Sequence, residues 1–392
     1  MNPSAPVLTD QIDDVALASL LAQLVRAESE NPPGNEARAG EVAAERCAQL
    51  GLDVELHSFQ ADRPNVIARW GTGSGPVVGY CSHIDVVPAG DRASWERDPY
   101  GAEVADGRMH GRGTSDAKGP IAACLAAVAA LQASGFEPRG TLELALVSDE
   151  EAGGFAGAAQ LIEKGVTRPD VAIIGEPTKL KVVHAQRGIA WSRITVHGIA
   201  AHGSAPERGR NAIMHMTEIL RALEPALPAL THPIVGGPTV NVGTIWGGDK
   251  VNMIPALCVA EIDRRTVPGE TQEDILAWME AAIGVARERY PDLDARPEIV
   301  SWGSSFEVAS DARIVRVLSD AARAATGIDA ELIGFRGTSD ARFFAEAGAE
   351  VAVFGPGEIA LAHTARESID LDELRHGALA YALAFADLLG GS

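Results

Sequence analysis

Three consecutive acidic residues, Asp149, Glu150 and Glu151, end an apolar run and are followed by two glycines. The run, Leu142 to Val147, predicts a buried strand. Carboxylates at the carboxyl end of a strand in an α/β protein lie where such folds bind ligands. Three adjacent carboxylates repel one another unless solvent or a cation compensates their charge. An isolated acidic triplet is usually a solvated turn, so the rest of the chain must support any catalytic interpretation.

Other polar residues with ligand chemistry also lie next to predicted elements. Strands predicted over 76–82 and 170–174 each end at a polar group, and these strands alternate with helices. Such alternation predicts a largely parallel sheet, in which the carboxyl ends of the strands meet at one edge. The residues that this arrangement brings towards the acidic triplet are His83, Asp85, Asp116, Glu176 and His363.

Nitrogen and oxygen donors without cysteine indicate a particular group of metals. Imidazole and carboxylate ligands suit Zn²⁺, and also Co²⁺ or Mn²⁺. Asp85, two residues after His83, is expected to accept a ring N–H and so to orient the imidazole. Each of these residues alone is more often a packed or hydrogen-bonded group than a ligand, and it is their shared position that favours a metal site.

A second type of pattern begins near residue 185. The elements predicted here follow the order strand, helix, strand, strand, helix, strand, which is the ferredoxin-like arrangement. We therefore expect an α/β catalytic domain with a mostly parallel mixed sheet flanked by helices, and an inserted ferredoxin-like α+β domain. The predicted boundaries are 1–184 and 303–392 for the catalytic domain, and 185–302 for the insertion.

Composition excludes several classes of function. The net charge of −21 over 392 residues disfavours nucleic acid, whose phosphates would be repelled, and anionic membrane surfaces. No apolar run approaches the roughly 20 residues of a membrane span, and the first residues lack the pattern of a signal peptide, so a cytoplasmic protein is expected. Four scattered cysteines without a C-x-x-C motif predict small core residues rather than disulfides or a cysteine zinc site.

Five ordered motifs carry a specific resemblance. They are His83-Ile84-Asp85-Val86-Val87-Pro88, Gly111-Arg112-Gly113 with Asp116-Ala117-Lys118-Gly119, Ser148-Asp149-Glu150-Glu151 with Gly153-Gly154, Gly175-Glu176-Pro177-Thr178, and Ala362-His363. Over essentially the whole chain, the sequence resembles the co-catalytic zinc hydrolases that include acetylornithine deacetylase, succinyl-diaminopimelate desuccinylase, aminoacylase and glutamate carboxypeptidase. The resemblance implies a hydrolase that cleaves the amide bond of N-acyl amino acids, with a metallo-carboxypeptidase or dipeptidase as the alternative.

The resemblance also implies roles for individual residues. Asp116 would bridge two Zn²⁺ ions per chain, which Co²⁺ or Mn²⁺ can replace. His83 and Glu176 would complete one metal site, and Glu151 and His363 the other. Glu150 would be the general base that acts on the metal-bridging water. The peptide bond after Asp116 would be cis.

In the inserted domain the resemblance implies residues that contact the substrate. His202 would be the histidine of a lid and would donate to the scissile carbonyl oxygen, from the partner subunit in dimeric members. Asn252 and Arg265 would bind the substrate carboxylate, since an arginine fork matches a carboxylate. The loop Gly337-Thr338-Ser339-Asp340 would line the substrate, and Arg336 beside it is a candidate for a second contact with the carboxylate. The chain would form a homodimer through the lid domain.

Competing interpretations are weaker. Gly111-Arg112-Gly113 lacks the third glycine of a dinucleotide-binding loop, and no G-x-S-x-G supports a serine hydrolase. A non-catalytic binding protein on the same fold would be expected to lack a ligand or the base, yet all six positions are filled. The small-molecule substrate is expected to be an N-acyl amino acid or a dipeptide.

Overall fold

The computed structural model describes residues 2–71 and 73–390 of the chain. Two compact units are formed. Unit 1 contains Met1–His184, Val308–Ile333 and Ser339–Ser392, and unit 2 contains Ala185–Glu307 and Gly334–Thr338. The main segment of the second unit ends at residue 307, whereas the predicted boundary is residue 302. The unit also includes residues 334–338, which the sequence prediction assigned to the catalytic domain. The roles of the units as catalytic and lid domains stay predictions.

Unit 1 is built from alternating helices and strands. Its elements in chain order are α1 (Ala5–Thr9), α2 (Asp14–Arg26), α3 (Ala37–Gln49), β1 (Asp53–Gln60), β2 (Arg63–Gly71), β3 (Val77–His83), β4 (Glu103–Ala105), β5 (Arg108–His110), α4 (Lys118–Ala133), β6 (Thr141–Val147), α5 (Ala158–Glu163), β7 (Val171–Ile174) and β8 (Val182–Gln186). After unit 2 the chain continues with α8 (Arg313–Thr326), β14 (Leu332–Phe335), α9 (Ala341–Glu346), β15 (Glu350–Val353), β16 (Ser368–Asp370) and α10 (Leu371–Leu389). Strands β8 and β14 extend into the residues of unit 2.

The main sheet of unit 1 is mixed. Its strand order is β1-β2-β6-β3-β7-β15-β8. The four central strands β6, β3, β7 and β15 run parallel, and β1, β2 and β8 pair antiparallel at the two sides. The predicted α/β architecture with a mixed sheet flanked by helices is therefore confirmed. The carboxyl ends of β6, β3 and β7 lie side by side, as the sequence analysis required.

Both faces of this sheet are covered. Tyr80 and Ile173 belong to the cluster that contains α2, α4, α8 and α10, and the alternate residues Cys81 and Ile174 are buried on the other face. Strands buried on both faces read as continuous apolar runs, which explains the uninterrupted pattern of β6. Helix α4 is buried over almost its whole length. Its sequence is rich in alanine, and these small side chains allow close packing against the sheet. All four cysteines are buried and free.

Unit 1 also contains a small three-stranded sheet, whose strands are close in sequence to candidate site residues. Its order is β16-β5-β4, and Ser368 pairs with His110. Because β16 follows the segment of His363 and β5 precedes the loop of Asp116, this sheet joins two distant parts of the sequence. None of its strands was predicted, since each has only three residues.

Unit 2 is a sheet with two helices on one face. Its elements are β9 (Gly188–His197), α6 (Ala212–Leu223), β10 (Thr239–Gly247), β11 (Leu257–Thr266), α7 (Gln272–Arg289), β12 (Asp294–Gly303) and β13 (Phe306–Glu307). The four long strands pair antiparallel in the order β10-β11-β9-β12, which is the ferredoxin-like order. The apolar faces of α6 and α7 pack with the inward residues of β9 and β11. Among the described residues, no helix is long and apolar enough to cross a membrane.

Candidate active site

The parallel strands of unit 1 deliver the predicted residues to one edge. His83 is the last residue of β3, Glu150 and Glu151 follow β6 after a short turn, and Glu176 follows β7. Asp149 makes this turn possible with a φ of 76°. Its carboxylate accepts a hydrogen bond from the backbone N–H of Ala156 and forms an ion pair with Arg63. These contacts stabilise an unusual backbone conformation directly before the two glutamates.

Asp116 stands between the two histidines. Its Oδ1 lies 3.0 Å from Nε2 of His83, and its Oδ2 lies 3.3 Å from Nε2 of His363. Each carboxylate oxygen therefore faces a different imidazole, as a bridging ligand would require. The pKa of Asp116 is lowered because its contacts with His363 and His83 outweigh the effect of burial, which alone would raise it. The peptide bond that follows Asp116 is cis, as the resemblance implied.

A further carboxylate lies beside each histidine. Nε2 of His83 is 3.9 Å from Oε1 of Glu176, and Nε2 of His363 is 3.1 Å from Oε2 of Glu151. The structure thus brings all five predicted metal ligands together in two groups that share Asp116. Burial would lower the pKa of His83, but Asp116 and Asp85 hold it well above its usual value. Hydrogen bonds with Asp116 and Glu151 raise the pKa of His363 to about 10.

The donor chemistry of this cluster fits divalent metal ions. His83, Asp116 and Glu151 each present a ligand atom that lies within 4.8 Å of the other two. Burial raises the pKa of Glu176 well above its usual value, and the charges of Asp116, Asp340 and Glu151 raise it further against the opposing effect of His83. A cation would relieve this repulsion between buried carboxylates. The residues present are therefore able to hold a metal, although they do not select zinc over cobalt or manganese.

Glu150 has the environment of an acid–base group. Burial raises its pKa well above the usual value, and the neighbouring charges of Glu176, Asp340 and Glu151 add to the effect while His83 opposes it. A carboxylate with a raised pKa accepts and returns protons more readily near neutral pH than an ordinary glutamate does. Burial raises the pKa of Glu151 as well, so the raised pKa does not separate the two glutamates. They differ in their contacts, because the Glu151 carboxylate lies 3.1 Å from Nε2 of His363.

Asp85 acts differently from the prediction. The nearest acceptor to Nδ1 of His83 is the backbone carbonyl oxygen of Asp85 at 2.9 Å, while the carboxylate oxygen Oδ1 lies at 3.6 Å. The carboxylate instead accepts the backbone N–H groups of Glu150 and Glu151 and a side-chain N–H of Asn31. Asp85 therefore connects the histidine segment to the two glutamates, and its backbone performs the expected orientation of the ring.

Unit 2 holds the residues predicted to bind the substrate carboxylate. Nη1 of Arg265 donates to Oγ1 of Thr338 at 3.2 Å, and Nη2 pairs with Asp263 at 2.9 Å. Arg264 points to the opposite face, where it is fully buried, pairs with Glu270 and lies over the ring of Trp278. Strand alternation thus separates the two arginines, and only Arg265 is partly accessible.

His202 is exposed in unit 2, and its contacts indicate which ring nitrogen carries the proton. The backbone N–H of Ser204 donates to Nδ1 at 3.2 Å, and Oγ of Ser204 lies 2.7 Å from the same atom. Because Nδ1 accepts the backbone hydrogen bond, the neutral ring carries its proton on Nε2. His202 therefore presents a donor to the solvent, which is the chemistry that its predicted role requires. Asn252 and Arg336 are also exposed, and Gly337 and Thr338 are half-buried.

Sequence reasoning missed several buried polar residues. Arg187 lies close to Arg265 and Arg336, and its pKa is lowered by burial and by these two charges. In unit 1, Arg63 and Asn31 support the acidic turn, and Glu367 accepts hydrogen bonds from the loop of Asp116. Arg187 lies between β8 and β9, and an arginine between two apolar strands was the available signal. No comparable signal marks Glu367, because its partners are distant in the sequence.

Comparison with known proteins gives the family. The model of peptidase family M20/M25/M40 matches residues 79–387, which is more than half of the chain. The chain belongs to this family. It is therefore a hydrolase, as its motifs predicted. An acetylornithine deacetylase from Myxococcus xanthus is 34% identical over 361 residues, which cover 89% of this chain and 91% of that protein.

Two further proteins are similar to this chain. A succinyl-diaminopimelate desuccinylase from Marinobacter nauticus is 29% identical over 86% of this chain and 89% of its own length. The crystal structure of aminopeptidase PepT from Bacillus cereus superposes with a TM-score of 0.79 at 23% identity, covering 96% of this chain and 99% of that one. At this identity the second likeness establishes the fold alone.

Proposed function

We propose that this chain hydrolyses the amide bond of N-acyl amino acids with the help of two divalent metal ions, of which Zn²⁺ is the first candidate and Co²⁺ or Mn²⁺ can replace it. The observation that supports this most directly is Asp116, whose two carboxylate oxygens face different histidines at 3.0 and 3.3 Å. The similarity to a deacetylase and a desuccinylase supports amide substrates with a free carboxylate.

The proposed ligands divide as the resemblance implied. His83 and Glu176 would hold one ion, Glu151 and His363 the other, and Asp116 both. When bound, such a pair of ions supplies Lewis-acid polarisation of the scissile carbonyl and lowers the pKa of the attacking water. Glu150, next to this cluster and with a raised pKa, would take the proton from the attacking water and pass it to the leaving amine.

Residues of unit 2 would bind and polarise the substrate. His202 would donate its Nε2–H to the carbonyl oxygen, where negative charge develops in the transition state. Arg265, with Asn252, would bind the carboxylate, and Thr338 orients the Arg265 guanidinium. Gly337 and Arg336 lie in the same segment as Thr338, so we assign that segment to substrate binding as well.

Three arginines of unit 2 indicate the charge of the substrate. The charges of Arg265 and Arg336 act on Arg187, in a chain whose net charge is −21. A local positive cluster favours a substrate with at least one carboxylate. A carboxypeptidase or dipeptidase remains the second candidate, because the same arginine would bind the terminal carboxylate of a peptide.

We also propose a homodimer formed through unit 2. Strand β10 is an edge strand of the unit 2 sheet, and its residues Ile245 and Trp246 are 51% and 49% exposed. Exposed apolar residues on an edge strand are a common site of association between chains. Sedimentation analysis should show a dimer, and Ile245→Lys should shift the mass towards the monomer. A parent chain that remains monomeric at micromolar concentration would exclude this proposal. The cytoplasmic location stays a prediction.

One experiment tests the activity. The enzyme is stripped with a chelator, reloaded with Zn²⁺ or Co²⁺, and assayed with N-acetyl, N-succinyl and N-formyl amino acids and with dipeptides. We expect activity to disappear on chelation and to return with about two ions per chain. Full activity in a metal-free preparation contradicts the mechanism, and exclusive cleavage of dipeptides would favour the second candidate.

A further inference from the structure

A buried carboxylate outside the proposed ligand set contacts the loop that carries Asp116. Oε1 of Glu367 accepts the backbone N–H groups of Gly113, Ser115 and Asp116 at 2.9, 3.1 and 3.1 Å. Only 1% of Glu367 is exposed. Three N–H donors that converge on one oxygen fix the backbone of this loop, since a buried N–H without a partner is costly.

The second oxygen of Glu367 has a different partner. Oε2 forms an ion pair with Nη1 of Arg112, which is also buried, and the same Nη1 donates to the carbonyl oxygen of Thr364 at 3.4 Å. The Arg112 guanidinium lies over the ring of Trp95, with 5.1 Å between the Cζ atom and the ring centroid. The negative charge of Glu367 is therefore compensated, and the orientation of Arg112 is restricted by an aromatic ring and a carbonyl oxygen.

These contacts join two segments that are about 250 residues apart. Glu367 lies four residues after His363, and Thr364 follows His363 directly. Backbone hydrogen bonds continue the connection, because Gly111 donates to the carbonyl oxygen of Glu367 at 3.0 Å. The Arg112–Glu367 pair thus contacts both the segment that carries Asp116 and the segment that carries His363. The side chains of Asp116 and His363 lie 3.3 Å apart at the proposed metal site.

We propose that Arg112 and Glu367 form a positioning pair that fixes Asp116 relative to His363 and so sets the metal affinity of the site that these two residues share with Glu151. This inference rests on the proposed metal-dependent function. The pair does not touch the substrate in this proposal. Removal of a partner that orients a metal ligand typically weakens metal binding 10- to 100-fold.

The test compares Glu367→Gln with a matched variant elsewhere in unit 1. Glu143 is also buried, with 5% exposed, and it pairs with Arg69 at 2.7 Å, but it lies on β6 opposite Gly79, four residues before His83. Glu143→Gln therefore removes the charge of a buried glutamate that pairs with a partly exposed arginine, at a position outside the site. Binding of Zn²⁺ is measured by calorimetry against a competing chelator, and the visible spectrum of Co²⁺ reports the ligand geometry.

We expect one of the two equivalents of Zn²⁺ to bind about 10- to 100-fold more weakly to Glu367→Gln, with a changed Co²⁺ spectrum. Glu143→Gln should keep both affinities and the spectrum of the parent, even where its thermal stability falls by a similar amount. Arg112→Lys, which keeps the charge but loses the planar guanidinium that lies over Trp95, should give an intermediate loss. If Glu367→Gln does not fold, Arg112→Lys decides by the same measurement.

If Glu367→Gln and Arg112→Lys both bind Zn²⁺ as tightly as the parent does, the inference is overturned and the pair has only a structural role. Because binding is measured without substrate, the proposed activity fails separately: a parent enzyme that binds two ions but hydrolyses none of the acyl amino acids or dipeptides contradicts the activity alone. A parent enzyme that binds no Zn²⁺ or Co²⁺ overturns both.

Discussion

The candidate residues of unit 1 and those of unit 2 differ in how the fold holds them. In unit 1, His83 and Asp116 are 1% and 6% exposed and contact each other directly. In unit 2, His202 and Asn252 are exposed, and the His202 side chain forms hydrogen bonds with Ser204 of its own loop. The unit 1 residues contact one another and are largely buried apart from His363, whose side chain is 53% exposed. In unit 2, His202 and Asn252 face solvent and are available to a substrate.

This difference has a physical origin. Parallel strands end at a common edge, so three adjacent strands suffice to bring His83, Glu151 and Glu176 together. Their charges then attract or repel one another strongly because water is largely excluded. Residues on an antiparallel sheet and its loops have no such common edge. Substitutions in unit 1 should therefore affect metal binding or the chemical step, and substitutions in unit 2 should affect catalysis without loss of metal.

The largest expected effect is at the acidic pair. Glu150→Gln should keep both metal ions and lower turnover about 10²- to 10⁴-fold, because an amide cannot accept the proton. Glu151→Gln should instead reduce the metal content, since Glu151 contacts His363 at 3.1 Å. Turnover and metal analysis on the same preparations measure both effects. Exchanged phenotypes would reverse the assignment of base and ligand within the D-E-E motif.

A smaller loss is expected at His202. Removal of the donor in His202→Ala should lower turnover about 10²- to 10³-fold, as the loss of a group that stabilises the oxyanion typically does. The metal content should equal that of the parent, because no predicted ligand lies in unit 2. Metal analysis with steady-state kinetics checks both parts. A loss of metal in this variant would contradict the contrast between the two units.

Much of this organisation follows from the sequence. The apolar runs of β3, β6 and β7 and their alternation with helices predicted the central layers, and the polar residues at the strand ends predicted the cluster around Asp116. These signals are local, because a strand pattern and the residue that follows it stand together in the chain. The strand order of unit 2 also agrees with the predicted ferredoxin-like arrangement.

Long-range contacts could not be predicted in this way. The ion pair of Arg63 with Asp149 and the hydrogen bonds of Glu367 join residues 86 and more positions apart, and neither partner shows a periodic pattern. The short strands β4, β5 and β16 are likewise determined by pairing rather than by their own sequence. The five residues 334–338 belong to unit 2 although most of that unit ends at residue 307.

Arg265 offers a test of substrate binding in unit 2. Arg265→Lys should lower kcat/KM about 10- to 100-fold for substrates with a carboxylate, since a lysine cannot replace the planar fork, and hydrogen bonds to charged groups contribute about 1.5–3 kcal/mol. Amidated substrates should be poor for the parent and lose little more in the variant. The four combinations of enzyme and substrate give the coupling directly. An equal proportional loss on both substrates would place Arg265 outside the carboxylate site.

The smallest expected effect concerns the orientation of His202. Ser204→Ala removes the hydroxyl that lies 2.7 Å from Nδ1 but keeps the backbone N–H that donates to the same atom at 3.2 Å. The proton should therefore stay on Nε2, and the loss of one hydrogen bond worth about 0.5–1.5 kcal/mol should lower turnover by no more than about tenfold. Nitrogen NMR of the ring distinguishes the two tautomers. A loss of turnover as large as that of His202→Ala, with the proton moved to Nδ1, would show that the hydroxyl and not the backbone determines the tautomer. The orientation of His202 in unit 2 would then depend on side-chain contacts, as the cluster around Asp116 in unit 1 does.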